Sequence, residues 1–337
     1  MRHRLTRPGL IGVAALAVAG CGSSSTHSPD GKAPATGASS AAAQVSAAGG
    51  TSGTSSLSPS KRIVIPAVFT HRKGRGVSAF VVLTVKGRPY LFRVDTGATR
   101  TTVDYAFAKA VALPARGAAT SETSVCRKVP AQPVEISDWR LGAATLPAIT
   151  IISTKVAGAG STTHGAFAGS LGSDVLSRFG TLTLDPAGGR LIVGGRAPVG
   201  AKTIPMRVGH APDGEVGLSL HATIRGQRVG YEIDTGAGIS TIDSRASKRL
   251  GLRAAGESVK IPTGFCGATI FTPVRIDGWT AGGVKLPSTV AVSSVDAIAS
   301  KTKGKIVGLL GLDVLSRFGQ VTFDFADQRL GLGGAAG

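Results

Sequence analysis

The 337-residue sequence contains few of the residues on which metal and nucleophilic chemistry depend. It has six histidines and three cysteines, with no His-Glu-x-x-His motif and no Gly-x-Ser-x-Gly elbow after a strand. It also lacks a helix-turn-helix pattern, a zinc-ligand spacing and a stripe of interleaved basic and aromatic residues. These absences count against a metal hydrolase, a serine hydrolase and a nucleic-acid-binding protein.

A long hydrophobic run is also missing. The apolar stretch from Leu10 to Ala19 is shorter than the roughly 20 residues of a membrane-spanning helix. Three arginines precede it and small residues lead to Cys21, which are the three parts of an export signal. Residues 18–21, Val-Ala-Gly-Cys, resemble a bacterial lipobox, and this implies cleavage before Cys21 and acylation of its thiol. We expect residues 1–21 to be a lipoprotein signal peptide.

The expected location follows from that signal. The chain would be exported and lipid-anchored to the outer face of the bacterial cytoplasmic membrane; the alternative is a plain secretory signal and a secreted protein. Residues 22–60 are mainly Ser, Ala, Gly and Thr, and such a segment cannot bury enough apolar surface to offset its chain entropy. We predict a disordered tether there.

Acidic residues are scarce as well. Lys and Arg number 38 against 19 Asp and Glu, and loss of the three arginines in residues 1–21 lowers the formal net charge from +19 to +16. Because the chain carries no nucleic-acid-binding motif and is expected outside the cytoplasm, we interpret the basic excess as a solvated surface. Its expected neighbours are anionic lipid or wall polymer.

What the sequence does contain is a duplicated pattern. Residues 91–98 read Leu-Phe-Arg-Val-Asp-Thr-Gly-Ala, and residues 230–237 read Gly-Tyr-Glu-Ile-Asp-Thr-Gly-Ala, 139 positions later. The same offset relates residues 174–180 to residues 313–319, both of which read Asp-Val-Leu-Ser-Arg-Phe-Gly. The sequence is therefore one domain pattern repeated in tandem. We predict a first lobe over residues 61–200 and a second over residues 201–337.

Local patterns predict a mainly β fold. From Lys61 onward, short apolar runs alternate with glycine-rich turns, as is typical of many short strands. Asp104 and Asp243 are predicted to cap helices over residues 105–113 and 244–250. The other predicted elements are strands 79–84 and 90–94, short helices capped by Asp174 and Asp313 and ended by Gly180 and Gly319, and closing hairpins 181–185 with 190–193 and 320–324 with 329–332.

Two aspartates on equivalent loops of two similar lobes can face each other and share one proton and one water. Together with residues 170–172, Ser-Leu-Gly, and residues 309–311, Leu-Leu-Gly, this arrangement resembles the aspartic proteases over about residues 62–335. The Asp-Thr-Gly-Ala and Leu-Gly-x-Asp-x-Leu motifs look like the retropepsin-like branch, whereas two lobes in one chain look like the pepsin-like branch. The resemblance implies two pseudo-symmetric retropepsin-like β-barrel lobes that form a pepsin-like bilobal fold.

The resemblance also implies the site residues. Asp95 and Asp234 would be the catalytic pair: two adjacent carboxyl groups cannot both ionise easily, so one acts as base and the other as acid on water. This chemistry needs neither a metal nor an organic cofactor. The threonines would cross-link the two loops through hydroxyl–backbone hydrogen bonds, and the glycines would let backbone amides approach the carboxyl groups. The supporting residues are thus Thr96, Gly97, Thr235 and Gly236.

Cys126 and Cys266 lie 31 and 32 residues after the respective aspartates, in segments that resemble the flap hairpins of retropepsin-like lobes. Equivalent flap residues meet near the pseudo-axis in that architecture, and the exported location is oxidising. Our hypothesis is a disulfide that ties flap to flap. The alternative is two free cysteines in flap turns.

The function predicted from these patterns is that of an aspartic endopeptidase. It would hydrolyse peptide bonds of extracytoplasmic proteins, with the polypeptide substrate bound as an extended strand under the flaps. The alternative is a catalytically silent peptide-binding or scaffold lipoprotein that keeps the protease fold. Since the two lobes complete one site, we expect a monomer.

Overall fold

The computed structural model describes residues 61–72, 76–123, 128–156, 160–162, 165–196, 202–263, 267–294, 302 and 304–333. These residues form a mainly β structure with two repeated lobes, which confirms the predicted fold class. Residues 1–60 with Cys21, and both Cys126 and Cys266, lie outside the described residues. Within the described ranges, no helix combines the length and the apolar character needed to cross a bilayer.

The strands of the first lobe are β1 (Ile63–Arg72), β2 (Gly76–Val85), β3 (Arg88–Val94), β4 (Thr102–Asp104), β5 (Thr120–Thr123), β6 (Lys128–Ile136), β7 (Trp139–Leu141), β8 (Ala144–Leu146), β9 (Ile149–Thr154), β10 (Gly160–Thr162), β11 (Gly165–Leu171), β12 (Thr181–Asp185) and β13 (Arg190–Val193). Its helices are α1 (Tyr105–Ala110) and α2 (Ser173–Leu176), the latter followed by a 3₁₀ turn at Ser177–Phe179.

The strands of the second lobe are β14 (Lys202–Pro205), β15 (Arg207–His210), β16 (Val216–Ile224), β17 (Gln227–Ile233), β18 (Thr241–Asp243), β19 (Arg253–Ala254), β20 (Val259–Thr263), β21 (Gly267–Ile276), β22 (Thr280–Ala281), β23 (Val284–Lys285), β24 (Thr289–Ser294), β25 (Ile306–Leu310), β26 (Val321–Asp324) and β27 (Arg329–Leu332). Its helices are α3 (Ser244–Arg249) and α4 (Leu312–Leu315), with a 3₁₀ turn at Ser316–Phe318.

Each lobe holds its Asp-Thr-Gly loop at the end of a central strand. In the first lobe β3 lies between β2, which is antiparallel to it, and β11, which is parallel. In the second lobe β17 lies between antiparallel β16 and parallel β25 in the same way. Because parallel strands end at the same edge of a sheet, the loop after β3 meets the loop after β11, and the loop after β17 meets the loop after β25.

The two lobes share one sheet. β12 pairs with β26 in antiparallel register, so the sheet runs β14-β27-β26-β12-β13-β1 across the lobe boundary. At its centre Thr183 faces Thr322, its own equivalent 139 positions later, with the two hydroxyl oxygens 2.8 Å apart. The closing hairpins predicted from the sequence are present. Each pairs with the first strand of its own lobe, and the two hairpins also join the lobes to each other.

Equivalent tryptophans anchor the two cores. Trp139 and Trp279 are fully buried, and the indole N–H groups donate to the carbonyl oxygens of Pro147 and Pro287, each at 2.8 Å. A buried indole needs such an acceptor because an unpaired polar group in the core costs free energy. Both tryptophans therefore belong to the lobe cores.

Helix α1 is shorter than predicted. Asp104 caps it as expected, accepting a hydrogen bond from the Ala106 N–H at 2.8 Å, but the helix ends at Ala110 and not at residue 113. Ala112 adopts a left-handed conformation with φ of +48°. The residue after it precedes Pro114, which disfavours helical backbone there.

The predicted caps of the second helix in each lobe were wrong. Gly172 and Gly311 occupy the cap positions of α2 and α4, whereas Asp174 and Asp313 lie inside the first turn. Both carboxylates reach away from the helix toward the loop that follows the Asp-Thr-Gly motif, as described below. Gly180 and Gly319 do end the helical segments, with positive φ of 74° and 78°.

Candidate active site

The ends of β3 and β17 bring Asp95 and Asp234 together at the lobe interface. Both carboxyl groups are completely buried, and each lies against the Asp-Thr-Gly loop of the other lobe. The carboxyl group of Asp234 packs on the backbone of Gly97, and that of Asp95 packs on Gly236. A Cβ atom at either glycine would overlap the opposite carboxyl group. Glycine is therefore required at both positions for the pair to meet.

The two threonines of the motif form a reciprocal cross-link. The Thr96 hydroxyl donates to the Ile233 carbonyl at 2.8 Å and accepts the Thr235 N–H at 3.1 Å. The Thr235 hydroxyl donates to the Val94 carbonyl at 2.8 Å and accepts the Thr96 N–H at 3.0 Å. All of these groups are buried, so the four bonds fix each loop against the strand end of the other lobe.

Backbone amides orient one oxygen of each carboxyl group. Asp95 Oδ1 accepts the Ala98 N–H at 3.0 Å. Asp234 Oδ1 accepts the N–H groups of Gly236 at 2.8 Å and Ala237 at 2.9 Å. Among the described residues, the buried Oδ2 atoms of both aspartates have no hydrogen-bond partner. These two oxygens are the ones that remain for a shared proton, a water molecule or a substrate carbonyl.

The surroundings of the two carboxyl groups differ in charge. Burial raises the pKa of Asp95, but the positive charge of Arg93 and then the Ser170 hydroxyl oppose that rise. The pKa of Asp234 lies well above its usual value because of burial and the negative charges of Asp95 and Glu232. We therefore assign the negative charge to Asp95 and the proton to Asp234.

This asymmetry comes from two substitutions between the repeats. Arg93 and Glu232 occupy equivalent positions two residues before the aspartates, and Ser170 is equivalent to Leu309. Arg93 is buried, donates through Nη1 to the Gly236 carbonyl at 3.4 Å, and lies 5.7 Å from the centre of the Phe167 ring. Neither charged residue was predicted from the sequence to belong to the site. The available signal was a charge of opposite sign at the same position of an otherwise repeated strand.

A further carboxylate in each lobe supports the loop beyond the motif. Asp174 Oδ1 accepts from the N–H and the hydroxyl of Thr101 at 2.9 and 2.8 Å. Asp313 Oδ1 makes the same pair of bonds with Ser240 at 2.8 and 2.7 Å. Burial raises the pKa of Asp174 to about 6, and burial also raises that of Asp313. These contacts tie α2 and α4 to the loops that carry the dyad.

The lobes also touch beside the dyad. The Val77 N–H donates to the Gly238 carbonyl, and the Val216 N–H donates to the Thr99 carbonyl, each at 3.1 Å. These two contacts are equivalent under the repeat. Arg100 of the first lobe also forms ion pairs with Asp213 and Glu215 of the second lobe. Among the described residues, these pairs have no equivalent under the repeat.

Over the described part of the chain, no group of three His, Cys, Asp or Glu side chains is arranged to hold a metal ion.

The predicted site residues fall into two sets. The structure brings Asp95 and Asp234 together with their supporting threonines and glycines. It leaves Cys21, Cys126 and Cys266 outside the described ranges.

Two lobes that meet at paired Asp-Thr-Gly loops define the architecture of an aspartic protease. The sequence profile described as Aspartyl protease matches the chain twice, over residues 81–175 and 220–314, more than half of its length. The chain therefore belongs to the aspartyl protease family.

Similar solved structures are distant in sequence. An aspartic proteinase from Irpex lacteus is 14% identical with a TM-score of 0.45, over 82% of this chain and 98% of that one. Basic 7S globulin from soybean is 14% identical with a TM-score of 0.39, over 82% of this chain and 96% of that one. No curated protein sequence matches the chain significantly.

Proposed function

We propose that the chain is an aspartic endopeptidase that hydrolyses peptide bonds of exported proteins, with Asp95 and Asp234 as its catalytic pair. The observation that carries this proposal is the meeting of two fully buried carboxyl groups at the lobe interface, each packed on the Asp-Thr-Gly loop of the other lobe. Burying two adjacent carboxyl groups costs free energy. A protein that does not cleave peptides would gain nothing from this arrangement.

The proposed reaction uses the two carboxyl groups in different roles. Ionised Asp95 takes a proton from water as the water oxygen attacks the peptide carbonyl carbon, while Asp234 gives its proton to the carbonyl oxygen. The tetrahedral intermediate then loses the amine, which accepts the proton now held by Asp95, and Asp234 regains its proton from the hydroxyl of the forming acid. Atoms and charge balance without a covalent intermediate.

Membrane attachment is part of the same proposal. The support is the Val-Ala-Gly-Cys sequence that ends at Cys21 and the tether composition that follows it. In this view the lipid anchor restricts the peptidase to substrates near the membrane surface. A Cys21→Ser variant should move from the membrane fraction to the soluble fraction with its peptidase activity unchanged.

Cleavage of a diverse peptide library between about pH 4 and about pH 8 tests the catalytic proposal. We expect Asp95→Asn and Asp234→Asn each to abolish cleavage while the fold, followed by circular dichroism, is kept. Asp327→Asn is the matched control because Asp327 is exposed in the turn between β26 and β27, and it should cleave normally. A folded parent chain that binds extended peptides and cuts none would favour the silent peptide-binding alternative.

A further inference from the structure

A pocket of about 640 Å³ opens in the second lobe, away from the dyad. Its floor is the face of β15, β16 and β17 that points away from the lobe core, and its walls come from the end of α3 and the start of β25. Five basic side chains line it from these separate elements, and no Asp or Glu is among its described lining residues. They are Arg207, His221, Arg228, Arg249 and Lys305.

Among the described residues, the positive charges of this pocket, carried by the three arginines and Lys305, have no ion-pair partner. Partial burial lowers the pKa of His221, and the charges of Arg228 and Arg207 lower it further. Like charges held together repel one another, so the cluster costs stability unless an anion occupies the pocket.

The first lobe provides an internal comparison for this pocket. At the positions 139 residues earlier, the five basic residues are replaced by Val68, Val82, Pro89, Ala110 and Ala166. A general basic excess would be spread over both lobes, whereas this cluster is confined to one. The fold therefore does not require the charges, since the equivalent strands and helix form without them.

One further substitution shapes the pocket. Gly230 replaces Leu91 of the first lobe, and a Cβ atom at Gly230 would overlap the Lys305 carbonyl oxygen. The glycine lets the chain before β25 lie directly on β17, which places Lys305 at the pocket wall. Gly230 precedes Asp234 by four residues on the same strand, about 13 Å along an extended chain. The pocket is thus separate from the dyad.

We propose that this pocket is a binding site for a phosphate-bearing anion. Three guanidinium groups offer the planar, paired N–H donors that match phosphate oxygens, and four full charges exceed what one carboxylate would neutralise. The volume accommodates a phosphate ester with part of the group that carries it. A soluble phosphate ester and the headgroup of an anionic lipid share this chemistry. The proposal does not depend on peptidase activity.

Titration of the purified full chain with inorganic phosphate and pyrophosphate tests the site. We expect saturable binding that weakens with added salt, tighter for pyrophosphate, and accompanied by a rise in the pKa of His221 followed by NMR. The double variant Arg207→Gln with Arg228→Gln should weaken binding by about tenfold or more. A second double variant, Arg253→Gln with Lys285→Gln, removes two exposed charges of the same lobe outside the pocket and should bind normally.

Binding to lipid vesicles tests whether the phosphate belongs to a lipid headgroup or to a soluble ester. Retention on phosphatidylglycerol vesicles that exceeds retention on phosphatidylcholine vesicles, and that is lost only in the pocket variant, assigns the site to a lipid headgroup. Phosphate binding without that difference assigns it to a soluble ester. Equal affinity of the parent and both double variants, or no saturable binding of either phosphate, would overturn the proposal. Thermal unfolding of each variant separates loss of the site from loss of the fold.

Discussion

At the scale of single residues, the two aspartates differ because of the side chains beside them. The loops that hold them are equivalent, and the same glycines and threonines surround both. Arg93 and Ser170 stand near Asp95, whereas Glu232 stands near Asp234 and Leu309 replaces the hydroxyl. In the proposed mechanism, two charged residues outside the motif therefore decide which carboxyl group acts as the base.

Arg93→Gln tests the proposed role of Asp95 as the base. Removing the positive charge raises the pKa of Asp95, and cleavage requires this group to be ionised, so activity is lost as pH falls through that pKa. The acidic limb of the kcat/KM profile should therefore move to higher pH. Arg93→Lys keeps the charge and should leave the limb near its original position. If the acidic limb of Arg93→Gln stays in place, Arg93 does not control the ionisation of Asp95.

Glu232→Gln tests the proposed role of Asp234 as the acid. The negative charge of Glu232 raises the pKa of Asp234, and cleavage requires Asp234 to be protonated. Without that charge the pKa falls, so the alkaline limb of the same profile should move to lower pH. The acidic limb should stay in place, because Glu232 acts on the other carboxyl group. A shift of both limbs together would contradict separate roles.

Thr96→Val tests the cross-link between the loops. Valine keeps the shape but leaves the Ile233 carbonyl and the Thr235 N–H buried without partners. We expect the free energy of unfolding to fall by about 3 kcal/mol, measured by urea denaturation. Thr96→Ser keeps both hydrogen bonds and should lose about 1 kcal/mol or less, through its missing methyl group. Equal losses in the two variants would show that packing, not hydrogen bonding, holds the loops.

At the scale of elements, local signals were read correctly and long-range partners were missed. The predicted strands 79–84 and 90–94 lie within β2 and β3, and the prediction of Asp104 as a cap is confirmed because its partner is two residues away. Asp174 was mistaken for a cap because its partner, Thr101, lies 73 residues earlier. Spacing along the sequence carries no information about such a contact.

Asp174 supplies a prediction for pH-dependent stability. Its pKa is about 6 in the folded chain against 3.8 as the ordinary value, so the folded state binds the proton more tightly. The contribution of Asp174 to stability therefore falls as pH rises from about 4 to about 6, by about 3 kcal/mol in all.

Asp174→Asn isolates that contribution. The amide oxygen still accepts from Thr101, while the buried charge is gone. We expect the variant to match the parent chain below about pH 4 and to be more stable above about pH 6. Urea denaturation at several pH values measures the difference. A difference that stays constant across this range would contradict the raised pKa.

At the scale of the whole molecule, the repeat in the sequence predicted two lobes, but not how they join. The pairing of β12 with β26 depends on hydrogen bonds between main chains, and no side-chain pattern specifies it. Likewise, the repeat predicted that Asp95 and Asp234 meet, since equivalent loops lie at equivalent places. It did not reveal the basic pocket, whose five residues come from separate parts of the second lobe.

The shared sheet and the threonine cross-link predict that the lobes unfold together. Separation would expose the edges of β12 and β26 and would leave the buried groups of the dyad loops unpaired. Calorimetry of the full chain should show one transition whose calorimetric and van't Hoff enthalpies agree. Two resolved transitions would indicate lobes that are stable independently.

The pairing of Thr183 with its own equivalent has a consequence for how a polypeptide lies in the cleft. Two copies of a single lobe could make the same contact. Such a dimer would be two-fold symmetric, so a peptide strand bound across it would have the same energy in either chain direction. In the present chain the halves differ at Arg93 and Glu232, and at Ser170 and Leu309. The two directions are no longer equivalent, so under the proposed function the molecule would distinguish the residues before a cleavage point from those after it.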